Sequence, residues 1–197
     1  MKKITFIALA LFVLTTAKSQ TEQGNFLLGL ASNLALSDNG PNAMSIGYSN
    51  AKLKSDYGVG GKTDYWNIYL TPKVGWFIID NLALGTELAA GYGNHDGASS
   101  SVIGIGPFLR YYLSTSNVKP LLEGSGVFGV QGFDKSSSIF YGFGAGAGLA
   151  FMVGENAMID MLLNYNGSIL RTTAGNPDNE RVVLTNVGMK IGFVFAF

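Results

Sequence analysis

Leu82-Ala83-Leu84-Gly85-Thr86-Glu87-Leu88-Ala89-Ala90-Gly91-Tyr92 falls into two sets when every second residue is taken. Leu82, Leu84, Thr86, Leu88, Ala90 and Tyr92 form one; Ala83, Gly85, Glu87, Ala89 and Gly91 form the other. A β-strand sends successive side chains to opposite faces. This stretch therefore reads as a strand with one apolar face and one face of small residues bearing a single carboxylate. The division recurs over 101–113, where Ile103, Ile105, Pro107, Leu109, Tyr111 and Leu113 oppose Val102, Gly104, Gly106, Phe108, Arg110 and Tyr112. It recurs again at the end, where Val187, Met189, Ile191, Phe193, Phe195 and Phe197 oppose Gly188, Lys190, Gly192, Val194 and Ala196. A soluble sandwich fills its polar face with Lys, Glu and Thr for water. Here that face is Gly, Ala and an isolated charge, and the other face suits hydrocarbon.

Working outward, eight such segments cover 25–36, 65–79, 82–93, 101–113, 119–132, 138–153, 157–169 and 181–197. Helical apolar spacing is absent. The connections alternate in length. Asp80-Asn81, Ser114–Val118 and Gly154–Asn156 are short; 37–64, 94–100, 133–137 and 170–180 are mostly longer and rich in Gly, Asn, Ser and Asp. Short turns on one side and long loops on the other, with segments of about ten residues, describe a bacterial outer-membrane barrel. The expected fold is all-β, an eight-stranded antiparallel up-and-down transmembrane β-barrel with both termini in the periplasm.

Carrying one parity through all segments turns six charges inward: Lys73, Glu87, Arg110, Glu123, Asp160 and Lys190, three of each sign. The remaining charges lie in connections or at segment ends. A Lys or Arg on the lipid face at mid-depth costs about 2–4 kcal/mol, and an unpaired charge inside is also costly. A balanced inward set therefore predicts an ion-pair network. Lys73 and Glu87 are about equally far from Asp80-Asn81, as are Arg110 and Glu123 from Ser114–Val118, so each pair is expected face to face. Outward Trp76, Tyr111, Phe151, Phe195 and Phe197 gather at the periplasmic ends, and Trp66, Tyr92, Tyr141 and Tyr165 towards the outer ends, as two aromatic girdles.

Composition narrows the function. Only 13% of the 197 residues are charged, with 27 Gly, no Cys and one His. That excludes a disulfide framework, a thiolate or multi-His metal site and a Cys nucleophile. With no Lys/Arg cluster after residue 3, a nucleic-acid partner is not expected. Lys2-Lys3, the apolar run Ile4–Leu14 and the small-x-small Ala17-Lys18-Ser19 form a signal peptide over 1–19. Cleavage before Gln20 leaves a barrel domain over 20–197, with ten cations against 13 acids, a net charge of −3. No further domain is expected after the last segment.

Pro72-Lys73-Val74-Gly75-Trp76-Phe77 followed by Asp80-Asn81-Leu82-Ala83-Leu84-Gly85 resembles a hairpin of the small outer-membrane-protein β-barrel domain family, relatives of the OmpA membrane domain and the opacity porins. Gly106-Pro107-Phe108-Leu109-Arg110-Tyr111-Tyr112-Leu113 resembles another of its strands. The terminal Phe193-Val194-Phe195-Ala196-Phe197 resembles the outer-membrane assembly signal, which implies recognition of Phe193, Phe195 and Phe197 by barrel-assembly machinery. Trp76 stands where that family commonly has Tyr or Phe. The resemblance covers residues 24–197 and brings no shared catalytic residues with it.

Other candidate chemistry is weaker. Gly142, Gly144, Gly146 and Gly148 keep a period of two, which places them on the inner strand face rather than in a phosphate loop, with room left for Phe108, Tyr112 and Tyr69. His95-Asp96 with Ser99, Ser100 and Ser101 reads as a solvated loop, since nothing fixes a catalytic geometry. Asp38, Asp56, Asp64, Asp178 and Glu180 lack the spacing of a calcium loop. Asn33, Asn67, Asn164, Asn166 and Asn186 add polarity inside. No cofactor, metal or catalytic set is expected. An eight-stranded lumen is just wide enough for side chains, so the default is a structural or surface-interaction protein of the cell outer membrane. Its partners would be membrane lipid and an extracellular molecule met by loops 37–64 and 170–180. A narrow channel is the alternative, with a membrane enzyme behind both.

Overall fold

The computed structural model describes residues 20–35, 47–52, 62–95, 98–133, 136–172 and 181–197. Nine strands follow in order: Phe26–Ala35 (β1), Gly47–Lys52 (β2), Lys62–Ile79 (β3), Leu82–His95 (β4), Ala98–Tyr112 (β5), Val118–Phe133 (β6), Ser136–Met152 (β7), Ala157–Thr172 (β8) and Arg181–Ala196 (β9). From β3 onward each pairs antiparallel with the next, and β1 closes the sheet by pairing with both β9 and β3. The result is a closed eight-stranded antiparallel barrel of β1 and β3–β9.

β2 decides between two readings of the first long connection, where Met44-Ser45-Ile46-Gly47-Tyr48 can either extend a strand above the membrane or pack on another loop. It lies inside the stretch read as a long loop, 37–64, and pairs with the start of β3 from Gly47↔Asn67 to Lys52↔Lys62. β1 covers β3 only from Thr71 to Trp76. The upper edge of β3 is then open, and β2 occupies it. Gly47-Tyr48-Ser49-Asn50-Ala51-Lys52 has no apolar alternation, and its place is set by backbone pairing with the free edge of β3. The other long connections shrink too. β4 runs to His95 and β5 starts at Ala98; β6 runs to Phe133 and β7 starts at Ser136; β8 continues to Thr172. Hydrogen-bonded strands can continue beyond the apolar belt, where alternation no longer marks them. Residues 1–19, read from the sequence as a signal peptide, and the loop portions 36–46, 53–61 and 173–180 lie outside the described residues.

The parity holds. Trp76, Ile103, Tyr92, Leu163 and Phe193 are exposed on the outer wall, while Glu87, Phe108, Arg110, Tyr112 and Lys190 are buried inside. Both girdles are present: Phe26 meets Trp76 edge-on at 5.0 Å on one rim, and Trp66 and Tyr92 lie 5.8 Å apart towards the other. The interior is layered. Leu27, Phe77, Phe108, Tyr112, Leu121, Met158, Leu162 and Val194 fill the end carrying the short turns. Tyr69, Ala89, Val102, Val127 and Phe140, with Leu170 packed on them, form a second apolar cluster towards the other end.

The chain ends meet on the short-turn rim. Phe26 N–H donates to the Phe197 carbonyl (2.7 Å) and Phe197 N–H to that of Phe26 (3.0 Å). Just before β1, Thr21–Asn25 clips onto the β3–β4 turn. Asn81 N–H donates to the Thr21 carbonyl (2.6 Å), the Thr21 hydroxyl donates to Asn81 Oδ1 (2.6 Å), and Gln23 N–H donates to Asp80 Oδ1 (2.8 Å). Asn81 sits at φ +66°, a left-handed conformation that Asn tolerates better than most residues. Asn81→Gly should keep the turn but lose the Thr21 hydrogen bond, lowering stability by about 0.5–1.5 kcal/mol. Asn81→Val should add strain of about 1–2 kcal/mol. Urea unfolding of refolded protein in micelles checks the order; a Val variant as stable as the Gly variant contradicts it.

Candidate functional site

Register brings the predicted charges together. β3 and β4 set Lys73 directly opposite Glu87, and β5 and β6 set Arg110 opposite Glu123. Lys73 Nζ lies 3.3 Å from Glu87 Oε2. Arg110 Nε donates to Glu123 Oε2 at 2.8 Å. All six predicted residues are buried, none more than 7% exposed.

The centre of the network lies across the lumen rather than along hairpins. Glu123 accepts from Lys73 Nζ at 2.9 Å and from Lys190 Nζ at 2.7 Å, besides Arg110. Arg110 Nη1 donates to Asp160 Oδ2, and also to the Tyr112 hydroxyl at 3.1 Å. Lys190 also lies 3.7 Å from Glu87. β3, β5, β6, β8 and β9 are thus joined through one carboxylate and one guanidinium. Asp160 and Lys190, the charges read from the last two strands, do not pair in register: Asp160 faces Gly192, and Lys190 faces Leu162. Alternation assigns a charge to the interior but says nothing of which strand lies across a closed barrel, so neighbour pairing was the reachable part and the Glu123 centre was not.

Aromatic groups flank the charges. Lys73 Nζ sits 5.0 Å from the centre of the Phe108 ring, and Arg110 lies 5.9 Å from that of Tyr112. Gly75 and Gly85 face Phe108: a Cβ there would come within 3.0 Å and 2.7 Å of its ring, and closer still to the backbone oxygens of Leu84 and Val74. Gly104 and Gly129 do the same for Phe140. This corrects the assignment of that role to the β7 glycines. Gly144 and Gly146 are inside as expected, but they face Asn166, Ser125 and Asn164. Asn164 donates to Asn166 Oδ1 at 2.9 Å. The side chains of Asn33, Asn67 and Asn186 lie outside the described residues.

Lys119, read as a strand-end charge, is the second residue of β6 and is only 4% exposed on the inner face. Its inward parity was the available signal. Two small cavities, about 10 and 20 Å³, adjoin the network and share Ser125, Gly144, Asn166 and Lys190 in their walls. Each has room for about one water. His95 is the last residue of β4 and stands opposite Ala98 rather than a serine; Ser99–Ser101 belong to β5, and Asp96 lies outside the described residues. No group of acidic or His side chains able to hold a metal occurs among the described residues. Phe193 and Phe195 are exposed on the outer wall, and the Phe197 ring lies 5.8 Å from that of Phe26.

No protein-family model matches the chain, and no curated protein matches it by sequence. Solved structures do resemble it. The crystal structure of Neisserial surface protein A matches with a TM-score of 0.55 at 17% identity, over 89% of this chain and 98% of that one. The outer membrane protein OprG from Pseudomonas aeruginosa matches with a TM-score of 0.50 at 16% identity, over 91% and 98%. At these identities the likeness is one of fold: a small eight-stranded barrel of the outer-membrane type.

The network makes a stability prediction. Asp160→Leu leaves three buried cations, Lys73, Arg110 and Lys190, against two carboxylates. It should cost about 3–5 kcal/mol, the usual penalty for breaking a buried pair. Adding Arg110→Met restores balance and should recover much of that loss. Denaturant unfolding of the two variants in micelles checks this; a double variant less stable than Asp160→Leu alone contradicts it.

Proposed function

We propose that this chain is an integral outer-membrane protein, exported by signal peptide 1–19, whose barrel is a closed scaffold presenting loops to the exterior. The observation carrying this reading is the Glu123 junction, where Lys73, Arg110 and Lys190 converge on one carboxylate in mid-lumen. An apolar cluster lies beneath it, around Phe77, Tyr112, Leu121 and Met158. An ion entering from outside would have to break buried ion pairs and then cross hydrocarbon. The exposed apolar wall supports lipid as the surrounding medium, and likeness to barrels of the outer-membrane type supports that membrane. The interaction surface belongs to the ends of the long connections within 37–64 and 170–180, since loops on a rigid frame carry exposed chemistry.

Purified protein in planar bilayers should therefore pass no resolvable single-channel current. Discrete, reproducible openings of the unaltered protein would overturn the closed-scaffold reading in favour of a narrow channel. The terminal phenylalanines support recognition by barrel-assembly machinery: Phe193 and Phe195 project from the wall at the chain's last strand. Removing Phe197 should lower the amount of folded barrel in cell membranes several-fold while leaving refolded protein nearly as stable. Undiminished membrane yield would argue against that role.

A further inference from the structure

Glu87 is bonded differently from the other lumen carboxylates. Lys73 Nζ donates to both oxygens of Glu123 (2.9 and 3.0 Å), and Lys190 Nζ donates to Glu123 Oε1 (2.7 Å). The same two ammonium groups come only to 3.3 and 3.7 Å from Glu87 Oε2. That oxygen is buried and makes no hydrogen bond among the described residues. A buried ionised acceptor without a hydrogen bond is costly. A polar contact longer than about 3.5 Å, as between Lys190 and Glu87, is where a bridging molecule is expected.

The larger lumen cavity, about 20 Å³, lies at this place. Glu87 and Lys190 both line it, with Tyr69, Thr71, Ser125 and Asn166. Its volume admits one molecule the size of water. Charge decides what kind. Lys73, Arg110 and Lys190 balance Glu87, Glu123 and Asp160, three against three. An added ion of either sign would leave the buried set unbalanced. Lys190 calls for an acceptor and Glu87 for a donor, so a neutral occupant must be both.

We propose that this cavity is a binding site for one ordered water, which accepts from Lys190 Nζ and donates to Glu87 Oε2. An ammonium has three donors, and Lys190 gives one to Glu123 Oε1. Ser125 and Asn166 offer polar groups in the same wall to the second hydrogen of the water. The bridge runs Glu87–water–Lys190–Glu123 and brings β4 into the central junction. Gly142 and Gly144 also line the cavity. A Cβ at Gly144 would lie 2.9 Å from Asn166 Oδ1 and 3.2 Å from Ser125 Oγ. A side chain there would take the room that the water uses, so these two glycines of β7 keep a polar site open.

A crystal structure of the protein, at a resolution that shows bound waters and repeated on crystals soaked in bromide and in rubidium, tests this. The expected result is one density peak within hydrogen-bond distance of both Glu87 Oε2 and Lys190 Nζ, with no anomalous signal after either soak. A direct hydrogen bond from Lys73 or Lys190 to Glu87 Oε2, with no peak between, overturns the proposal. A bromide or rubidium signal at the peak makes the ligand an ion and also overturns it. Gly144→Ala should abolish the peak. Ser125→Val, which fills the same wall with apolar groups, serves if that variant does not fold. A peak unchanged in a folded variant of either kind contradicts the assigned site.

Discussion

A charge in a membrane barrel has two places to go, and both are costly. Facing lipid at mid-depth, a Lys or Arg costs about 2–4 kcal/mol. Facing a side-chain-filled lumen, an unpaired ion costs several kcal/mol. The convergence of Lys73, Arg110 and Lys190 on Glu123 satisfies the second condition, with Asp160 taking the other side of Arg110. Much else depends on it. A slip of one residue in any of β3, β5, β6, β8 or β9 would turn its charge to lipid and strand the rest. The network therefore reinforces the strand register that the hydrogen-bond ladder sets.

Space is the companion constraint. An eight-stranded barrel leaves an interior about the width of its own side chains. Gly75 and Gly85 beside Phe108, and Gly104 and Gly129 beside Phe140, stand where a Cβ would crowd both a neighbouring strand and the ring. The high glycine content is thus part of the packing of a closed lumen. The apolar clusters on either side of the ions limit water on both approaches, which strengthens the ion pairs they enclose.

Where sequence and structure agree, one face of each strand is apolar and exposed and the other is buried inside the barrel. Glu87, Arg110 and Lys190 interrupt runs of alternating apolar and small residues, and that was sufficient to place them inside. Lys73–Glu87 and Arg110–Glu123 were legible because a short turn equalises distances along a hairpin. What was hidden depends on closure. Glu123 reaching Lys73 and Lys190 requires knowing which strands face one another across the lumen, and no local pattern encodes that. β2 was legible only in part: Gly47 and Tyr48 belong to a stretch that could extend a strand, but Gly47–Lys52 carries no apolar alternation, and its pairing with the start of β3 depends on which edge the closed barrel leaves free. Lys119 stood at the border of both cases.

The central claim is that the lumen charges are bonded to one another and shielded from water. Nitrogen-detected and proton-exchange NMR of refolded protein in micelles observes the Arg110 guanidinium and the Lys73 and Lys190 ammonium groups directly. The account predicts separate, slowly exchanging N–H signals for these side chains, all displaced together by Glu123→Gln. Exchange as fast as that of free lysine and arginine, with no common response to Glu123, would show a hydrated lumen and contradict it.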